Sequence, residues 1–372
     1  MKIRTITCHD VYNYGASLQA YALQHFLSSQ KHDVKIIDYK PQYLNRTYNF
    51  WYVSEKSRFY KQTKKNPFLH LLYSIWNIQH TYATWGRIYP FKHFKKKYLT
   101  CTNTYHTTKE LQKNPPQADL YIAGSDQIWN TILPNGKDPA FYLNFGPSTT
   151  KKISYAASFG IERLDDTLRN NVKEYLTQID EISVREKTGL QILQELGFKG
   201  TEVLDPVFLI DKDNWVNTFA LSKRIIKEKY ILVYDIFQDN KTLIQKAKFL
   251  SAKYNLKIIA INDSKKTPYA EINISNGGPI EFLNLIFNAE IVISCSFHAT
   301  AFSIIFNKSF YVFYNKENIS RMRDFLCGIN LLDRLNPESL DSTINWGKVN
   351  DLLIKKITIS KNFLLDAIDI CK

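Results

Sequence analysis

The chain has 372 residues, 44% of them hydrophobic and 23% charged. Such a composition supports a buried core and argues against disorder, and the length suggests two domains. Lys and Arg number 49 against 35 Asp and Glu, and the resulting net charge of +14 asks for an anionic partner: nucleic acid, a membrane surface, or a phosphorylated or carboxylated substrate.

Residues 2–8 read as a strand and 17–28 as a helix, with Ser17 as its N-cap and Leu18, Tyr21, Ala22, Leu23 and Phe26 as its apolar stripe. Residues 34–39 read as the next strand. This βαβ start predicts a parallel sheet. Residues 46–97 then carry 11 Lys and Arg against one acid, Glu55, and hold 14 aromatics. This segment therefore accounts for +10 of the net charge. It reads as helical insertions, amphipathic and partly surface-lying, whose apolar run, 68–78, is too short to cross a bilayer.

Strands follow at 120–123, 152–157, 181–185 and 201–204, with helices at 164–178 and 188–196. A second series has strands at 230–237, 256–261, 291–294 and 309–314, helices at 240–254, 280–288 and 298–307, and a last helix at 348–370. The expected fold is α/β: two doubly wound Rossmann-like domains facing a cleft. Residues 1–209 form the N-terminal domain and 210–347 the C-terminal domain. Residues 348–372 form a helix packing back on the first domain. In such sheets ligands sit beyond the carboxyl ends of the strands.

Several chemistries lack their motifs. GxGxxG, GxxxxGK[ST], HExxH and GxSxG are all absent, and the histidines show no metal-ligand spacing. No metal is expected. Asp211 and Asp213 resemble an acidic metal pair of some glycosyltransferases, but read better as a surface loop. The N-terminus lacks an apolar leader, and the five cysteines form no CxxC pair, so a reducing cytoplasm is expected.

The candidate site residues all lie where strands end. Asn13, Tyr14 and Gly15 open a helix whose unpaired amides would suit an anion, or they form a plain cap and turn. Gly124-Ser125-Asp126-Gln127-Ile128-Trp129-Asn130 places an aromatic beside amides and a carboxylate, a set that suits a sugar. The alternative is an Asx-turn with a core Trp. Arg185 ends a buried strand, where a cation needs an anion, either a ligand or a structural partner such as Glu186. His298 stands where the strand 291–294 meets an apolar helix, among Ser294, Ser296 and Thr300. Gly277 and Gly278 precede another helix as a second anion nest. Arg321 and Arg323 follow the last strand of the second series.

In this order these stretches resemble the polysaccharide pyruvyl transferase family: NYGASLQAYALQ (13–24), GSDQIWN (124–130), SYAASFG (154–160), VREKTG (184–189), VLDPVF (203–208), GGPIEFL (277–283) and SFHATAFSIIFNKSF (296–310). The resemblance implies a GT-B-like fold, phosphoenolpyruvate as donor substrate, no cofactor, and a sugar of a surface glycan or its lipid-linked precursor as acceptor. The product would be a cyclic pyruvate ketal. It also implies a catalytic pair, Arg185 and His298. Many members carry Arg-x-His where this chain has Ser296, so the resemblance does not carry over the acid or cation work assigned to that position. Expected donor-side residues are Ser296, Phe297, Ala299, Gly277, Gly278 and Arg321. Expected acceptor-side residues are Asn13, Tyr14, Asp126, Gln127 and Trp129. The alternatives are a GT-B glycosyltransferase using a sugar nucleotide and a nucleic-acid-binding protein built on the basic segment, the latter disfavoured by that segment's apolar run. A small donor needs few cations, so the surplus charge at 46–97 is expected to contact anionic membrane at its inner face, or the diphosphate of a lipid-linked acceptor.

Overall fold

The computed structural model describes residues 1–44, 60–76, 78–236, 240–262, 266–314, 319–340 and 343–369. Short segments rich in Ile, Val, Leu and Ala and buried on both faces build the strands inside its two main sheets, as parallel sheets require. In the first domain β1 (Lys2–Ile6), β2 (Asp33–Tyr39), β3 (Cys101–Tyr105), β4 (Leu120–Ala123) and β5 (Lys151–Ser154) form a parallel sheet in the order β3-β2-β1-β4-β5. The short strands β6 (Ser183–Val184) and β7 (Thr201–Glu202) continue it, through bridges between Ile153 and Glu181 and between Ala157 and Val184. In the second domain β8 (Tyr230–Tyr234), β9 (Lys257–Ile261), β10 (Ile272–Ile274), β11 (Ile291–Ser294) and β12 (Ser309–Val312) are also parallel, in the order β10-β9-β8-β11-β12. In both sheets the strand order reverses at the centre, and this opens a crevice at the strands' carboxyl ends.

The helices that matter for the site are α1 (Tyr14–Ser29), α4 (Ile78–Tyr98), α7 (Lys187–Leu196), α10 (Pro279–Asn288), α11 (Phe297–Ile305), α12 (Ser320–Cys327) and α13 (Trp346–Asp369). Helix α1 starts three residues before the expected position. Asn13, not Ser17, is its cap, and the Asn13 side chain accepts a hydrogen bond from the Ala16 amide. Asp211 caps the short helix α8 (Lys212–Thr218) by accepting from Asn214, so it serves the backbone there.

One apolar cluster runs through both domains. Tyr14 of α1 stacks on Phe282 of α10, their ring centroids 4.6 Å apart, and Trp215 packs between Tyr21, Phe219 and Phe302. Helix α13 crosses back to the first domain, where Leu364, Ala367 and Ile368 join Ile3, Leu23, Phe26 and Leu27. Ser360 of α13 accepts the Leu204 amide at 2.8 Å and donates to the Lys356 carbonyl. Ser360→Ala strands that buried amide, so chemical denaturation is expected to show a loss of about 1–3 kcal/mol.

The basic segment lies partly at the surface and partly in the core. Residues 46–59 lie outside the described residues, but the end of α4 is built into the fold. Phe91 and Phe94 are core residues, and Arg87 is buried with its guanidinium 4.7 Å from the Tyr14 ring, donating to the Tyr12 carbonyl. A cation can sit there because π-faces and carbonyls replace its water.

Candidate active site

Four loops at the carboxyl ends of the strands meet between the domains. Arg185 follows β6 and is held in register by its amide bond to the Ala157 carbonyl. Its side chain, 2% exposed, forms a short ion pair through Nη1 with Asp205 Oδ2, and its Nη2 lies 3.5 Å from Asp126 Oδ1. Asp205 caps the turn 206–209 through Oδ1, which accepts the Val207 amide, so only Oδ2 faces the site. His298, in the first turn of α11, brings Nε2 to 3.4 Å from the same Oδ2 without forming a hydrogen bond. Asp205 thus lies between the Arg and the His.

The His298 ring leans on the start of α1. A Cβ at Gly15 would fall 1.9 Å from His298 Nδ1, so only glycine allows this approach. Both cations approach the ring of Phe297: the Arg185 guanidinium is 4.6 Å from its centroid and the Arg321 guanidinium 6.0 Å. Arg321 comes from α12 and reaches Asp126 at 3.9 Å; it makes no hydrogen bond among the described residues. Asp324, one turn further, accepts from the Thr188 amide and hydroxyl of α7, which ties α12 to the first domain.

Glu186, next to Arg185, is buried and one-sided. Oε1 accepts from the Ser158 hydroxyl and from the amides of Phe159 and Gly160, while Oε2 has no partner. Arg185 Nε and His298 Nε2 are likewise buried without a hydrogen bond. Unmet buried donors and acceptors are costly, so their concentration here makes this cluster the candidate ligand site.

The electrostatics are uneven. Burial alone would raise the Asp205 carboxyl, but His298 and Arg185 hold it well below the usual carboxylate range. Burial pushes the Glu186 carboxyl upward, against the pull of Arg185 and Arg321. A depressed carboxylate favours folding above its unfolded pKa, and the benefit is lost as pH falls through the folded value. Acid unfolding below about pH 4 is therefore expected to lose this contribution. Asp205→Asn should flatten that acid limb in a pH series of denaturation midpoints. Such a set can bind a small dianion between two guanidiniums and move a proton at its edge.

Residues 13–317 match the family model described as polysaccharide pyruvyl transferase. The chain belongs to this family. No curated protein matches it. Among solved structures, a Listeria monocytogenes protein described as a UDP-N-acetylglucosamine 2-epimerase superposes with a TM-score of 0.53 at 7% identity, over 99% of this chain and 95% of that one. The S. aureus MnaA-UDP co-structure gives 0.50 at 12% identity, over 96% and 88%. These likenesses concern the fold, which is GT-B-like, with two Rossmann-like domains.

In this pyruvyl transferase family member, Arg185, His298, Asp126, Phe297 and Arg321 come together, with Asp126, expected on the acceptor side, lying against Arg321, expected on the donor side. Arg185 pairs with Asp205 and Asp126, not with Glu186. Ser296 caps α11 by accepting the Ala299 amide at 3.4 Å, which leaves the earlier amides of that turn without intrahelical partners. Ser294 and Thr300 spend their hydroxyls on the Tyr234 and Ser296 carbonyls. Gln127 is half-buried and accepts from Asn130, and Asn13 is an exposed cap.

Three expectations fail. Trp129 is fully buried, stacked on Tyr142 and donating to the Phe141 carbonyl, so it cannot face a sugar. Tyr14 is consumed by the domain seam, where its hydroxyl bonds the Gly277 carbonyl. The Gly277-Gly278 nest is filled by the chain's own Glu281, whose carboxylate accepts the Gly278 amide at 2.8 Å, so an anionic donor is excluded there. Asp205 and Glu186 were missed as functional residues. The Asp-Pro step after a strand was a signal for Asp205, but nothing in the sequence said which cations it would meet.

Among the described residues one further cluster, His9, Asp38 and Cys101, has ligand atoms within 4.8 Å of one another. Asp38 is already engaged by His9, Lys40, Lys95 and Thr104, so its charge is satisfied by protein donors.

Proposed function

We propose that this protein transfers pyruvate from phosphoenolpyruvate to two hydroxyls of a sugar in a surface polysaccharide, such as a capsule or exopolysaccharide, or in its lipid-linked precursor. The observation that supports this reading best is the pair of guanidiniums, Arg185 and Arg321, that both approach the Phe297 ring and the Asp126 carboxylate beside His298. Phosphoenolpyruvate carries two anionic groups on one carbon, which suits two cations that converge on one carboxylate. Arg321 then supplies the cation that Ser296 does not.

The proton account is closed. His298, as general acid, protonates C3, and the positive charge developing at C2 is attacked by the first sugar hydroxyl, which loses its proton. The C2–O bond to phosphate breaks, the second hydroxyl closes the ring and loses its proton, and inorganic phosphate leaves. Of the two hydroxyl protons, one balances the new methyl hydrogen and the other leaves on phosphate. Asp205 Oδ2 faces His298 Nε2, and Glu186 Oε2 stands ready to accept a hydroxyl proton. Asp126 and Gln127 line the acceptor side.

The reading places the protein in the cytoplasm, at the inner face of the membrane. No helix among the described residues is long and apolar enough to cross one. Two measurements test the function. Phosphoenolpyruvate is expected to raise the unfolding temperature, as any ligand of the native state must, and UDP- and GDP-sugars are not. Mass spectrometry of candidate glycans should then show an added carboxyethylidene group. Stabilisation by sugar nucleotides alone would favour a glycosyltransferase instead.

A further inference from the structure

The helices between β2 and β3 divide into a buried half and an exposed half. On α4, Arg87, Phe91 and Phe94 face the core. The opposite face carries Tyr89, Lys92, His93, Lys96 and Lys97, all exposed, at the spacing that places them on one side of a helix. Lys92, Lys96 and Lys97 pair with no carboxylate among the described residues. Helix α3 (Pro67–Trp76), in contact with α4, exposes Phe68 (65%), Leu69 (42%), Leu71 (38%) and Leu72 (46%). Lys65 precedes it, also exposed, and no acidic residue occurs anywhere from 60 to 98.

We infer that α3 and the outer face of α4 form a docking surface for an anionic lipid bilayer, with Phe68, Leu69, Leu71 and Leu72 entering the headgroup–acyl boundary and Lys92, Lys96 and Lys97 resting on lipid phosphates. Charge selects this occupant. A symmetric contact with a second copy would set lysine against lysine with no carboxylate to relieve them. Nucleic acid would use the lysines but leave four aliphatic and aromatic side chains in water. An interfacial helix uses both. The inference narrows the sequence expectation to the exposed half of the segment, and it stands independently of the proposed chemistry.

The test is co-sedimentation of the full chain with vesicles of zwitterionic lipid alone or mixed with about one-third anionic lipid. Binding is expected only to the anionic vesicles, and should fall as salt rises. The triple variant Lys92→Gln, Lys96→Gln, Lys97→Gln should weaken it by roughly fivefold per lysine. The double variant Phe68→Ser, Leu72→Ser should weaken it at least tenfold, and its unfolding midpoint should stay unchanged because neither side chain is in the core. Equal binding to both vesicle types, no binding, or a dimer that the double variant converts to monomer in light scattering would overturn the inference. Competition by a soluble diphosphate that removes vesicle binding completely would also overturn it, by assigning the cations to a headgroup rather than to the surface.

Discussion

Arg185→Ala is expected to lower pyruvyl transfer by about a thousandfold or more, the scale of losing a preorganised charge that faces the reacting group. It is also expected to destabilise the fold by about 3–5 kcal/mol, because it leaves Asp205 buried with one cationic partner removed. The two effects are separable. Arg185→Ala combined with Asp205→Asn removes the stranded charge, so denaturation should show much of the stability restored. The transfer assay should show no recovery, since the cation over Phe297 is still missing. Arg185→Lys keeps the charge but not the fork that spans Asp205 and Asp126, and it should fall between the two. A folded Arg185→Ala protein with a near wild-type rate would remove Arg185 from the mechanism.

Gly15→Ala should lower the same rate by about a hundredfold, the cost of misplacing a reacting group by an ångström. The added methyl would meet three ring atoms of His298, at 1.9, 2.3 and 2.5 Å, so the ring must leave the position that brings Nε2 to Asp205. The diagnostic is non-additivity. If Gly15 acts only through His298, then His298→Ala alone and His298→Ala with Gly15→Ala should show the same residual activity. A further loss in the double variant would mean that α1's first turn contacts substrate itself. Unimpaired transfer by Gly15→Ala would show that His298 need not sit where it does.

Much of the fold was legible because parallel strands buried on both faces leave short apolar runs, as at 120–123 and 291–294, where expected and observed bounds coincide. The edge strands β3 and β10 lack such runs, being half-exposed, and were not read. His298 was legible as a polar residue where a buried strand meets a helix. Its carboxylate was not, since Asp205 lies 93 residues away and meets it only through the domain interface. Trp129 misled because an aromatic after a strand reads alike whether it faces a ligand or the Tyr142 ring. Arg87 misled because its surroundings in sequence are basic and its surroundings in space are aromatic.

The seam of Tyr14, Phe282, Phe302 and Trp215 touches no proposed substrate, yet His298 belongs to one side of it and Asp205 and Arg185 to the other. Catalytic geometry is therefore an alignment between two bodies rather than a property of either. A substitution at the seam that shifts one domain by a fraction of an ångström acts as an active-site mutation without approaching the active site. Selection on the chemistry thus extends to aromatic packing along the joint, where drift would otherwise be tolerated as long as stability held.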